Sequence, residues 1–105
     1  MLLFFQALNA QIADLKIQNG VVSIWNEKGQ VISTTSSSGK EILGFTGAFW
    51  VFRSNGVYCT MDQNCKQISS KTISNLTFKS IGGNSMAFYS NGVTIIFDKN
   101  FKQTN

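Results

Sequence analysis

Five carboxylates (Asp14, Glu27, Glu41, Asp62 and Asp98), two cysteines six positions apart (Cys59 and Cys65) and no histidine make up the reactive inventory of this 105-residue chain. Hydrolysis by paired carboxylates needs two such groups facing each other across a substrate. Asp62 and Asp98, however, occupy equivalent places in the related stretches MDQNCKQ and FDKNFKQ. A short side chain there hydrogen-bonds its own backbone and starts a turn, so turn formation accounts for both. Without histidine, Ser-His-Asp triads, Cys-His dyads and most zinc sites cannot be assembled, and two cysteines alone do not make a metal site. No catalytic, metal-binding or cofactor-binding residue is expected, and the chain reads as a non-enzyme.

The remaining candidates are contacts rather than catalysts. Cys59 and Cys65 flank the DQN turn. A three-residue loop there would set them opposite each other as a cross-strand disulfide, as in exported proteins, whereas the alternative is that Cys59 is a small core residue. Arg53, Tyr58 and Tyr89 fall on one strand face, with Arg53 directly across from Tyr58 if Asn55-Gly56 forms a two-residue loop. Tyrosine and arginine are common interface anchors, and aromatic rings stack on sugars or bases. The competing expectation is that these side chains pack against an adjacent sheet. Asn75-Leu76-Thr77 fits a glycosylation sequon. Gly82-Gly83 lies outside any phosphate-binding pattern and reads as a turn.

The elements that must position these residues follow from a repeat. Asn-Gly pairs begin at positions 19, 55 and 91, a spacing of 55 − 19 = 36 and 91 − 55 = 36. Downstream the copies stay in step through Val21, Val57 and Val93, then Trp25, Met61 and Phe97, then Asn26, Asp62 and Asp98. A fixed period in this range marks a tandem-repeat architecture. Asn-Gly between β-rich runs is the strongest short hairpin signal, because a type I′ turn needs positive φ at both central residues. A two-residue loop at Asn55-Gly56 pairs Trp50 with Met61 and Phe52 with Cys59, and one at Asn91-Gly92 pairs Met86 with Phe97 and Phe88 with Ile95. Both gather an apolar face. In the first copy the same pairing puts Leu15, Ile17, Val22 and Ile24 together, a set slipped by one position, which exchanges the two faces. Further β-like runs, EILGFTG and LTFKSIG, precede the second and third hairpins, which makes about four strands per repeat.

The stretches GNSMAFYSNGVTIIFDKNFKQ and GAFWVFRSNGVYCTMDQNCKQ resemble blades of a β-propeller, a likeness that runs from about Ala13 onward. It implies an all-β fold of three tandem antiparallel repeats, at about residues 11–40, 41–75 and 76–105, in one domain. Without Trp-Asp or Gly-His signatures the WD40 type is not indicated. Propellers close with four to eight blades, so three leave a sheet face to be covered. Either two copies self-associate or the units form a β-trefoil, the alternative architecture.

Bulk properties fit such a module. The chain is 43% hydrophobic, 12% aromatic and only 13% charged, which describes a packed body with a Ser, Thr, Asn and Gln surface. Net charge is +4, yet the basic residues form no run, so nucleic acid is unsupported. The apolar start MLLFFQALNA resembles the end of a secretory signal peptide cleaved after Ala10, although its basic n-region is missing; the alternative is a buried strand, and the run is too short to span a bilayer. The expected partner is a protein or a second copy of the chain, with carbohydrate as the alternative ligand of a lectin-like protein.

Overall fold

The computed structural model describes residues 11–105, and the apolar N-terminal segment 1–10, with its two alternative readings, lies outside the described residues. Ten antiparallel strands form three sheets, with no helix among the described residues. The first sheet is β1 (Asp14–Gln18), β2 (Val21–Trp25) and β3 (Val31–Ser36); the second is β4 (Glu41–Phe45), β5 (Trp50–Ser54), β6 (Val57–Met61) and β7 (Gln67–Thr72). The third is β8 (Thr77–Gly82), β9 (Ser85–Ser90) and β10 (Val93–Asp98), in which strands, like those of the other two, pair in sequence order. The sheets stay separate, and no closed barrel forms among the described residues.

Each Asn-Gly pair builds the hairpin expected of it. Asn19, Asn55 and Asn91 have φ of 53°, 53° and 50°, and Gly20, Gly56 and Gly92 follow at 77°, 79° and 84°. Two successive positive φ values define the type I′ turn, whose twist matches that of the flanking strands. The register follows: Trp50 pairs with Met61, Phe52 with Cys59, Met86 with Phe97 and Phe88 with Ile95. The second turn of each repeat is equally regular. Oδ1 of Asn26, Asp62 and Asp98 accepts from the backbone N–H groups two and four residues on, at 2.8–3.0 Å. The fourth residue of that turn takes positive φ, whether it is Gly29 (75°), Cys65 (59°) or Phe101 (59°).

The slipped apolar set of the first repeat has a tertiary cause. Its hairpin register is the ordinary one, with Leu15 opposite Ile24 and Ile17 opposite Val22. What differs is the face that is covered. The second sheet lies between the other two and is buried on both sides. Trp50, Phe52, Cys59 and Met61 pack against Ile12, Val22 and Ile24 of the first repeat. Val51 and Tyr58, from the opposite side, pack against Met86, Phe88, Phe97 and Phe101 of the third. The first sheet is covered only on the side toward its successor and the third only on the side toward its predecessor, and in a period-2 strand these are opposite faces. β5 accordingly reads buried at three successive positions, whereas β2 alternates.

Polar contacts fix the stacking. Thr60, the only fully buried polar side chain among the described residues, donates from Oγ1 to the carbonyl of Lys99 in the third repeat at 2.6 Å. Ser33 Oγ makes the corresponding bond to the Gln63 carbonyl, also at 2.6 Å, between the first and second. Thr46 Oγ1 reaches the Gly83 carbonyl at 2.7 Å. Near that contact β4 approaches β8 so closely that a Cβ on Gly44 would stand 3.0 Å from Cγ2 of Ile81.

Candidate functional site

The two edges of the stack differ in chemistry. The turns that begin at Asn26, Asp62 and Asp98 form one edge. The Asn-Gly tips form the other, tied together through the connecting loops: Ser37 N donates to Gly20 O, Ile73 N donates to Gly56 O, and a Cβ placed on Gly39 would lie 4.0 Å from Ser54 Oγ. Of six large hydrophobic residues exposed among the described residues, four flank these tips: Ile17 (54%), Val21 (41%), Tyr89 (45%) and Val93 (55%). Ordinarily tips are polar, because nothing covers them. The tip edge also carries Lys40, Arg53 and Lys79 against one carboxylate, Glu41, while Lys71 directs its ammonium over the Phe97 ring at 5.9 Å; Asp14, Glu27, Asp62 and Asp98 belong to strand ends and turns of the other edge.

Arg53, Tyr58 and Tyr89 have separate fates. Arg53 stands opposite Tyr58 as the hairpin register requires. Tyr58 is 2% exposed and meets Phe88 edge-on at 5.0 Å between ring centres, so it packs between sheets. Arg53 ion-pairs with Glu41, and its Nη1 donates to Tyr58 Oη at 3.4 Å. Both bonds favour the charged guanidinium and hold its pKa above the usual arginine value. Tyr89 is the exposed member. It lines an open depression of about 550 Å³ with Thr77, Phe78 and Lys79, whose Nζ lies 5.7 Å from the Tyr89 ring centre. The place of Glu41 and Arg53 in the second repeat is thus taken in the third by Thr77 and Tyr89, 36 residues on. The hairpin spacing brings out that equivalence in the sequence, but not which member is covered.

The cysteines do not face each other. The loop after β6 spans Asp62–Lys66 rather than three residues, because Asp62 Oδ1 and the Lys66 carbonyl close it from both sides. Cys59 is therefore opposite Phe52 and Ser70, and Cys65 sits inside the turn; both are free thiols. With the Ser33 hydroxyl hydrogen directed to Gln63, the Cys65 thiol donates to Ser33 Oγ at 3.2 Å. Burial pushes both thiols above the ordinary value of 9.0. A folded thiol that stays protonated while its unfolded counterpart ionises gives stability present below pH 9.0 and lost as pH rises through the folded value. We expect denaturant midpoints to fall above pH 9.0 more steeply in the native sequence than in a Cys59→Val, Cys65→Gly variant, and native thiols to react more slowly than an ordinary exposed thiol with a charged disulfide reagent at about pH 8. Equal slopes in the two proteins would sink this account.

Four of the five carboxylates have structural employment: Asp62 and Asp98 in turns, Glu41 on Arg53, and Asp14 Oδ1 accepting the Leu15 N–H at 2.8 Å. Among the described residues no three His, Cys, Asp or Glu side chains gather as a metal site, and no helix is long and apolar enough to cross a membrane. No protein-family model matches the chain, and no curated protein matches it either.

Proposed function

We propose that the chain is a non-enzymatic interaction module: an arc of three propeller-like blades that presents its Asn-Gly hairpin edge to a partner. The observation that carries this reading is the gathering of exposed Ile17, Val21, Tyr89 and Val93 on one edge, beside cations. Apolar side chains held on rigid type I′ tips gain nothing for the fold and are free to be buried by something else. The propeller-like description is supported by the strictly sequential strand order and by the constant rule that each sheet offers the same hairpin face to its successor.

Closure of the arc by a second copy would place the outer face of the third sheet on the outer face of the first. The latter presents Asp14, Lys16, Ser23 and Trp25, with Lys16 Nζ 4.4 Å from the Trp25 ring centre and Trp25 Nε1 donating to Ser23 Oγ at 3.0 Å. Such a face is already satisfied by its own contacts, as terminal repeats require. Sedimentation equilibrium should therefore give a monomer of 11.6 kDa. A dimer that dissociates on Trp25→Asp, but not on changes at the hairpin tips, would instead establish ring closure as the role of the chain.

A lectin-like role is a second reading, favoured by the Tyr89 depression, where an aromatic ring, the Thr77 hydroxyl and the Lys79 ammonium converge. Glycan-array binding abolished by Tyr89→Ala would support it, and no binding to any glycan would remove it.

A further inference from the structure

We infer that the Asn-Gly hairpin edge docks on an anionic lipid surface. This deepens the interaction-module reading by naming the partner of the same edge. The three tips stand side by side on stacked sheets, which ordinarily lie about 10 Å apart. They present equivalent residues at the second position before each turn and the first position after it: Ile17 and Val21, Arg53 and Val57, Tyr89 and Val93. Four of these six are large and exposed, and they rest on turns whose backbone is fixed by two successive positive φ values. Short apolar side chains on stiff tips can enter the headgroup region without any change of fold. Tyr89, with an apolar ring and a polar hydroxyl, suits the interface itself.

Charge complementarity selects the lipid. Lys40 Nζ, on the Ser36 carbonyl at 2.9 Å, and Lys79 Nζ, 5.7 Å from the Tyr89 ring centre, lie beside the tips, whereas Lys71 turns toward Phe97; Arg53 is matched by Glu41, so the edge carries 3 − 1 = +2 of the chain's net +4. A polyanion in solution would satisfy the lysines and leave Ile17, Val21 and Val93 in water. A bilayer with acidic headgroups accommodates both, since basic residues near such a surface and apolar side chains below it act together. An acidic protein could do likewise only with a groove shaped for three tips, whereas a lipid surface needs no shape.

Co-sedimentation of the whole chain with vesicles tests this. Vesicles of phosphatidylcholine with one quarter phosphatidylglycerol should bind the protein, and pure phosphatidylcholine should bind it at least tenfold more weakly. Lys40→Gln and Lys79→Gln should each lower the affinity about fivefold. Ile17→Ser with Val93→Ser should lower it at least tenfold, whereas Val31→Ser, equally exposed (48%) on the opposite edge, should leave it unchanged. Circular dichroism of each variant establishes that the fold is kept. Absence of binding to the acidic vesicles overturns the lipid assignment while leaving the interaction module to stand on its own test. Binding that is indifferent to Ile17→Ser with Val93→Ser overturns it too, and marks the edge as a site for a soluble polyanion.

Discussion

Replacing Phe88 by alanine is expected to lower the free energy of unfolding by about 3–5 kcal/mol, the usual cost of removing a buried ring. Phe88 is fully buried, and three other rings meet it edge-on: Tyr58 at 5.0 Å from the second sheet, and Phe78 and Phe97, both at 5.6 Å, from its own. The cavity would open where the second and third sheets join, and the rings around it are fixed by strand pairing and cannot collapse into it. Domains of ordinary size hold only about 5–15 kcal/mol in total, so the variant should lose a substantial part of its margin. Urea unfolding followed by tryptophan fluorescence measures the difference. Phe45→Ala, at a half-exposed ring in β4, serves as the control with a much smaller loss. A Phe88→Ala midpoint close to that of the control would mean that the third sheet does not pack as described.

Gly44→Ala should cost about 1–3 kcal/mol, although the added group is a single methyl. The new Cβ would lie 3.0 Å from Ile81 Cγ2, across the contact between β4 and β8. Gly44 is not at a positive φ, so the loss is steric and not one of backbone strain. Trimming the obstructing side chain gives the check: Gly44→Ala with Ile81→Ala should be less destabilised than the sum of the two single changes, because each relieves the other. Additive losses would show that the two strands are farther apart than 3.0 Å permits.

Much of the local structure was legible in the sequence. Asn-Gly at 19, 55 and 91 dictated the turn type, and the turn type dictated the strand register down to individual pairs such as Phe52 with Cys59. Asn26, Asp62 and Asp98 were legible as turn starters for the same reason, since a short polar side chain acts on its own backbone within four residues. The placing of Cys65 went astray because a five-residue loop and a three-residue loop start with the same aspartate and differ only in where the ladder resumes. Arg53, Tyr58 and Tyr89 were legible as one face of their hairpins, but burial of Tyr58 and exposure of Tyr89 were not. Equivalent repeats carry equivalent local signals, and only the number of neighbouring sheets distinguishes them.

The sequence by itself thus determined an all-β chain of repeated antiparallel hairpins, with their turns and registers, because each depends on interactions between residues close along the chain. The tertiary structure alone decided which face of each sheet is covered: both for the second, and one each, on opposite sides, for the first and third. That choice depends on position in the stack and not on any residue's own preference. It turned the apparent slip of Leu15, Val22 and Ile24 into the correct pattern for an end sheet, and it brought the three hairpin tips onto one edge.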